Sequence, residues 1–111
     1  MELHIEHAQD TVICSPKGEV NIHHSPQLRK AFNELIRQDI KKVIVDFSSV
    51  TNIDTSGLAT LIEMYHRLKK NHGHLKLANM SADIKKMFEI LKLCTFFEIY
   101  SSREDAIKAF N

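Results

Sequence analysis

The run Val43-Ile44-Val45-Asp46-Phe47 constrains this chain more than any other stretch. It is nearly continuous in β-branched and apolar residues, where a strand with one wet face would alternate. Such a strand lies in the middle of a sheet with both faces covered, and the helical patterns to either side supply the cover. Ser48 to Ile53 then crosses to a polar turn, Asp54-Thr55-Ser56-Gly57, and an amphipathic helix starts near Ser56. A helix start leaves backbone N–H groups unpaired and carries a partial positive charge, so hydroxyls and anions are favoured there. The turn is therefore the first candidate for chemistry, beyond its plain role as a cap.

The remaining elements follow from periodicity and punctuation. Leu3 and Ile5 alternate with polar neighbours in a half-buried strand, and Gln9-Asp10 links it to Thr11-Val12-Ile13-Cys14 as a hairpin. Pro16 implies an edge position or a bulge nearby, after which Gly18-Glu19-Val20-Asn21-Ile22 extends the strand. Ser25 followed by Pro26 reads as a capped helix start, and Leu28, Ala31, Phe32, Leu35 and Ile36 give one apolar face through about residue 38. In the central helix Leu58, Leu61, Ile62, Tyr65 and Leu68 share a face. Thr60, Glu63 and Arg67 point the opposite way, with Met64 on the flank, Glu63 and Arg67 placed to pair, and Gly73 suited to a left-handed cap.

Leu75 to Asn79 forms a further strand, and Ser81 caps a helix with Ile84, Met87, Phe88 and Leu91 on its apolar face. A short strand around Phe96 to Ile99 precedes a last helix with Ser102 and Asp105 at its start and Ala106, Ile107, Ala109 and Phe110 closing it. The order ββαβαβα(β)α implies parallel strand pairs with right-handed crossovers after an antiparallel hairpin. The whole of residues 1–111 is expected to be one domain.

A chain 43% hydrophobic and 26% charged is not a disordered one. The net charge of +1 and the lack of a Lys/Arg block argue against nucleic acid and against a membrane surface. The amino terminus lacks the pattern of a signal peptide, and no apolar run approaches a membrane span, so a cytoplasmic location is expected. Cys14 and Cys94 lie in apolar surroundings and are expected to be buried and reduced. The histidines lack zinc-like spacing with cysteine and lack a helical i, i+4 pair, so no metal is expected. No G-x-S-x-G elbow surrounds Ser56 and the glycine spacing is not that of a P-loop. Neither nucleophilic catalysis nor a bound cofactor is expected.

The stretch from Val43 through Leu61, with Asp46 in the strand and Ile53-Asp54-Thr55-Ser56-Gly57-Leu58 after it, resembles the centre of the STAS domains of anti-sigma factor antagonists. Gly18-Glu19-Val20 with Pro26-Gln27-Leu28-Arg29, Leu75 to Asn79, Leu91-Lys92-Leu93 and Phe96 to Tyr100 extend the resemblance over essentially the whole chain. It implies a STAS fold, a mixed sheet of four to five strands with about four helices.

It also implies a non-enzymatic phosphoswitch. Ser56 stands at the family's phosphorylated position, with Asp54 as its acidic neighbour and Thr55 and Gly57 completing the motif; Thr55 is a second candidate acceptor. The implied partners are a serine kinase that is also the anti-sigma factor, or another downstream regulator, and a PP2C-type phosphatase; the chain itself is expected to be a monomer. Thr60, Glu63, Met64 and Arg67 adjoin Ser56 as the expected partner-contact face, and Asn21 stands where family members often carry aspartate, removing one negative charge. The alternative is a constitutive scaffolding STAS module of a larger regulatory or transport complex.

Overall fold

The computed structural model describes residues 2–110; Met1 and Asn111, the ends of the expected domain, lie outside the described residues. The order is β1 (Glu2–Ala8), β2 (Thr11–Val20), α1 (Ser25–Arg37), β3 (Lys42–Asp46), β4 (Val50–Ile53), α2 (Thr55–Lys70), β5 (His74–Ala78), α3 (Ala82–Ile90), β6 (Glu98–Tyr100) and α4 (Arg103–Ala109). The strands form one six-stranded sheet in the order β1-β2-β3-β5-β6, with β4 also paired to β2. β1 and β2 are antiparallel across the Gln9-Asp10 turn, and the other pairs are parallel, as the alternation of strands and helices requires.

β2 is the strand on which the rest is hung. Thr11–Cys14 pairs with β3, and Gly18–Val20 pairs with β4, with a register shift at Gly18/Glu19. Gly18 takes φ of +97°, which a side chain disfavours, and the ladder changes partner there, just after Pro16. The sequence reading passed over β4 as a crossing segment. Its two ends, Val50 and Ile53, are buried and Thr51-Asn52 between them is in solvent, so it lacks the period of two that marks a strand, and it takes the sheet from the expected four to five strands to six.

The two sheet faces differ. Val12, Cys14, Val43, Val45, Leu75 and Leu77 face the main core under α1, α2 and α3, where Leu28, Phe32, Leu61, Met64, Leu68, Ile84 and Phe88 pack. Ile13, Ile44 and Ala78 face the other way and meet Ala106 of α4. Cys14 is a buried free thiol that burial pushes up to about 12, and Cys94 is also free but only half-buried. Leu91, expected on the inner face of α3, is 51% exposed because the helix ends at Ile90 and the chain turns at Lys92. No helix among the described residues is long and apolar enough to cross a membrane.

Helix ends also depart from expectation. The turn before α1 is closed by Asn21, whose Oδ1 accepts the N–H groups of His23 and His24 at 3.0 and 3.2 Å, so Ser25 is left buried without a capping role. At the end of α2, His72 and not Gly73 takes the left-handed conformation. The Gly73 N–H closes the motif on Leu68 O at 2.7 Å. Gly73 is needed for another reason: a Cβ there would lie 2.7 Å from Lys41 O.

α4 is seven residues long and is fastened by charge as much as by packing. Arg103 contacts Asp46 (Nε to Oδ2, 3.1 Å), Glu6 (2.6 Å) and Ser15 (3.2 Å), joining the last helix to β3, β1 and β2. Asp46 is 3% exposed. Burial alone would raise its pKa, but donors from Ser48, Asn79 and Arg103 outweigh this and hold it below the usual carboxylate range. A carboxyl depressed on folding contributes stability above its unfolded pKa, and that contribution is lost as pH falls through its folded value. Arg103→Ala is expected to cost about 1–3 kcal/mol at neutral pH by taking the donor from Asp46 Oδ2 while Ser48 and Asn79 keep Oδ1. The acid limb of its urea-unfolding stability profile should be shallower than that of the wild type. An unchanged neutral stability would show that Arg103 is not a fastener.

Candidate functional site

The site is built where β4 ends and α2 begins. Asp54, in extended conformation, is the N-cap of α2, and its Oδ1 accepts the N–H groups of Ser56 at 3.0 Å and Gly57 at 3.1 Å. The Ser56 hydroxyl donates to the same oxygen at 3.2 Å. Asp54 Oδ2 reaches across to the β2–α1 turn and accepts the N–H of Ile22 at 3.1 Å. The Gly57 N–H does most to pull the Asp54 carboxyl below its ordinary pKa; desolvation opposes it, and Ile22 and Ser56 add to the lowering. The cap is therefore an anion at neutral pH.

Thr60 and Gly57 fix the first turn around Ser56. Thr60 Oγ1 donates to Ser56 O at 2.9 Å, fixing the first turn from inside the helix. Gly57 lies against the end of β2, and a Cβ built on it would meet Val20 O at 2.6 Å and Ile53 Cγ1 at 2.7 Å. Only glycine lets the helix start this close to the sheet. Ser56 is half-buried and Thr55 is exposed beside it.

The structure corrects the face assigned to partner contact. Thr60 and Met64 are each 1% exposed, so neither stands on the outer surface. α2 packs against both the sheet and α1, and its covered arc is wider than a single apolar stripe; Thr60 can be buried because its hydroxyl is satisfied within the helix. Glu63 is exposed but pairs with Arg29 of α1 at 3.1 Å, and Arg67 bonds Asn33 of α1, so the expected Glu63–Arg67 pair gives way to two links between helices. Ile62 and Tyr65, read as inner residues, are only partly buried.

Asn21 sits one residue before Ile22, and its amide Nδ2 donates to Glu19 at 3.1 Å while Oδ1 closes the turn. Its side chain is thus committed to shaping the loop next to Asp54. The residue that sequence reasoning did not single out is Ile22, 67% exposed between Asn21 and His23. The pattern Gly18 to Ile22 reads as strand, but β2 ends at Val20 and the chain turns at Asn21, which puts Ile22 in solvent.

A profile of the STAS domain matches residues 2–106, and with the strand order and the helix-start motif this settles the family. The chain belongs to the STAS domain family. Among its relatives, the Bordetella bronchiseptica protein BtrV is 24% identical over 110 residues, covering 99% of this chain and 95% of its own. The anti-sigma-B factor antagonist of Bacillus subtilis is 28% identical over 82% of this chain and 83% of its own. Among solved STAS-fold structures, TM1081 of Thermotoga maritima superposes with a TM-score of 0.92 at 20% identity, covering 96% of this chain and 92% of its own. The Bacillus protein SpoIIAA in its phosphorylated form gives 0.78 at 23%, covering 99% and 100%. The backbone arrangement just described is that STAS fold.

Gly57→Ala tests how the motif is seated. Alanine gains about 1 kcal/mol in helix propensity. The clash is with a backbone carbonyl that cannot swing aside, and overpacking of this kind costs about 1–3 kcal/mol. A net loss of stability is expected in thermal or urea unfolding, with the Ser56 and Gly57 amide resonances displaced. A stabilised variant with an unmoved Ser56 amide would contradict the seating.

Proposed function

We propose that this STAS protein is a bacterial anti-sigma factor antagonist-like regulator switched by phosphorylation of Ser56, and that it has no enzymatic activity of its own. The observation that carries the reading is half-buried Ser56 at the start of α2, its hydroxyl held by Asp54, in a chain of this family. The relatives named as anti-sigma F and anti-sigma-B factor antagonists support the general role. In the proposed cycle the unphosphorylated form binds a serine kinase that serves as anti-sigma factor, or another target.

ATP is held by the kinase. The Ser56 oxygen forms a bond to the γ-phosphorus, the bond from that phosphorus to the β-phosphate oxygen breaks, ADP leaves, and the hydroxyl proton passes to a base on the kinase. A PP2C-type phosphatase hydrolyses the ester and restores the serine. The phosphate adds about −1.5 to −2 charges beside the Asp54 carboxylate. A partner packed over the turn would have to bury that charge without compensation, which is unfavourable by several kcal/mol for an ion left unpaired. The helix start tolerates the added anion, so the switch acts on binding and leaves the sheet and helices in place. Ser56 is the acceptor in this reading and exposed Thr55 its neighbour.

Ser56→Ala and Ser56→Asp variants used as baits in lysate of the native cell test this directly. The alanine form should retain a serine kinase that the aspartate form loses, and both should show the same circular dichroism as the wild type. Equal retention by the two baits would instead fit a constitutive scaffold and sink the switch.

A further inference from the structure

β1 is an open edge of the sheet. It stands at one end of the strand order and runs seven residues, Glu2–Ala8, whereas β6 at the other end has three. Its register with β2 continues through every residue without a bulge, and the strand contains neither proline nor lysine, so several usual guards of a free edge are missing. On the core side, Leu3 and Ile5 pack against the main cluster but stay only partly buried. On the α4 side, His4 Nε2 meets Glu6 Oε1 at 3.1 Å, and Arg103 holds the other Glu6 oxygen at 2.6 Å. Glu2 and Glu6 are the guard that remains, and they discriminate among incoming strands by what those strands place opposite them.

We propose that β1 pairs with β1 of a second copy of this chain, antiparallel about a twofold axis at Ile5, joining two six-stranded sheets into one. The strand's own pattern selects this occupant and this register. With Ile5 opposite the partner's Ile5, His4 faces the partner's Glu6 and Glu6 faces the partner's His4, so an imidazole N–H meets a carboxylate twice. Leu3 then lies opposite the partner's His7, and Glu2 opposite the partner's Ala8. Sliding the register by two residues sets Glu2 against Glu6 in one direction and Glu6 against Glu6 in the other. Like charges directly opposite are destabilising, so both neighbouring registers are disfavoured. A slide of one residue would put the apolar face of one strand on the polar face of the other. In the selected register the two Ile5 side chains meet on the core side and cover apolar surface that the free edge leaves partly open. The dimer departs from the monomer that the resemblance implies, and it does not depend on modification of Ser56. Ser56 follows β4, which carries on along β2 from where β3 leaves off, so pairing through β1 leaves it open in both copies.

Sedimentation velocity of the unmodified full chain, from about 10 μM to about 1 mM, tests the pairing in the range where a small interface associates. The wild type should pass from monomer to dimer across that range. His4 is exposed and its side chain touches only Glu6, so substitutions there leave the fold intact, which circular dichroism checks. His4→Glu sets two acids against the partner's Glu6 and should weaken the dimer by roughly tenfold or more, while His4→Lys should dimerise at least as well as the wild type. Hydrogen exchange at the two ends of the concentration range locates the contact: the β1 amides that face away from β2 should slow in the dimer, and those of β6 should not change. A wild type that stays monomeric throughout would overturn the proposal, as would protection that appears elsewhere and spares β1. So would a His4→Glu dimer as stable as the wild type, or a His4→Lys variant that fails as fully as His4→Glu, because the sign of the charge would then not matter. None of these failures touches the bait experiment, which reads Ser56 alone.

Discussion

The site depends on how closely the first turn of α2 approaches the end of β2. Without a side chain at Gly57 the helix start comes within van der Waals reach of the Val20 carbonyl and Ile53. That contact fixes the origin and direction of α2 and aims its free amides at the turn after β2. The Asp54 carboxylate lies in the gap and binds both sides. β2 can serve as the anchor because it is paired with β1, β3 and β4 and is buried along most of its length. A hydroxyl on a mobile loop would be modified as readily, but its charge would be averaged over many positions. Here Ser56 is held from both ends of its backbone, by Asp54 at its N–H and by Thr60 at its carbonyl.

Much of this was legible in the sequence, for identifiable reasons. The β-branched run of β3, the two-residue hairpin and the caps at Ser81 and Ser102 are local signals, and local signals survive folding; at α2 the pattern marks a capped start near Ser56, and the structure gives the cap to Asp54. What could not be read were consequences of tertiary packing. Thr60 and Met64 look like outward residues until α1 is laid against α2. β4 is recognisable as a strand only once β2 is beside it. The Arg103 fastening joins residues from four elements, and no periodicity announces it.

The same distinction holds at the site. The motif Asp54-Thr55-Ser56-Gly57 is contiguous, so its capping role could be deduced from residue types alone. Ile22 enters only through a backbone N–H, which has no signature in the sequence. Asn21, read as a lost acid, turns out to be a shaping residue, because an amide can donate to Glu19 while its oxygen closes the turn. An aspartate could accept those turn bonds but could not donate to Glu19. The balance of charge around Ser56 is therefore set mainly by Asp54, an ion held by donors from both sides of the site.

The account stands or falls on whether this one hydroxyl carries phosphate in the cell. The most direct measurement is phosphosite mapping by tandem mass spectrometry on the protein isolated from its own cells across growth states. The account predicts a single phosphate on Ser56 whose occupancy changes with conditions. Ser56 found unmodified in every state, or a phosphate placed on Thr55 in its stead, would contradict it.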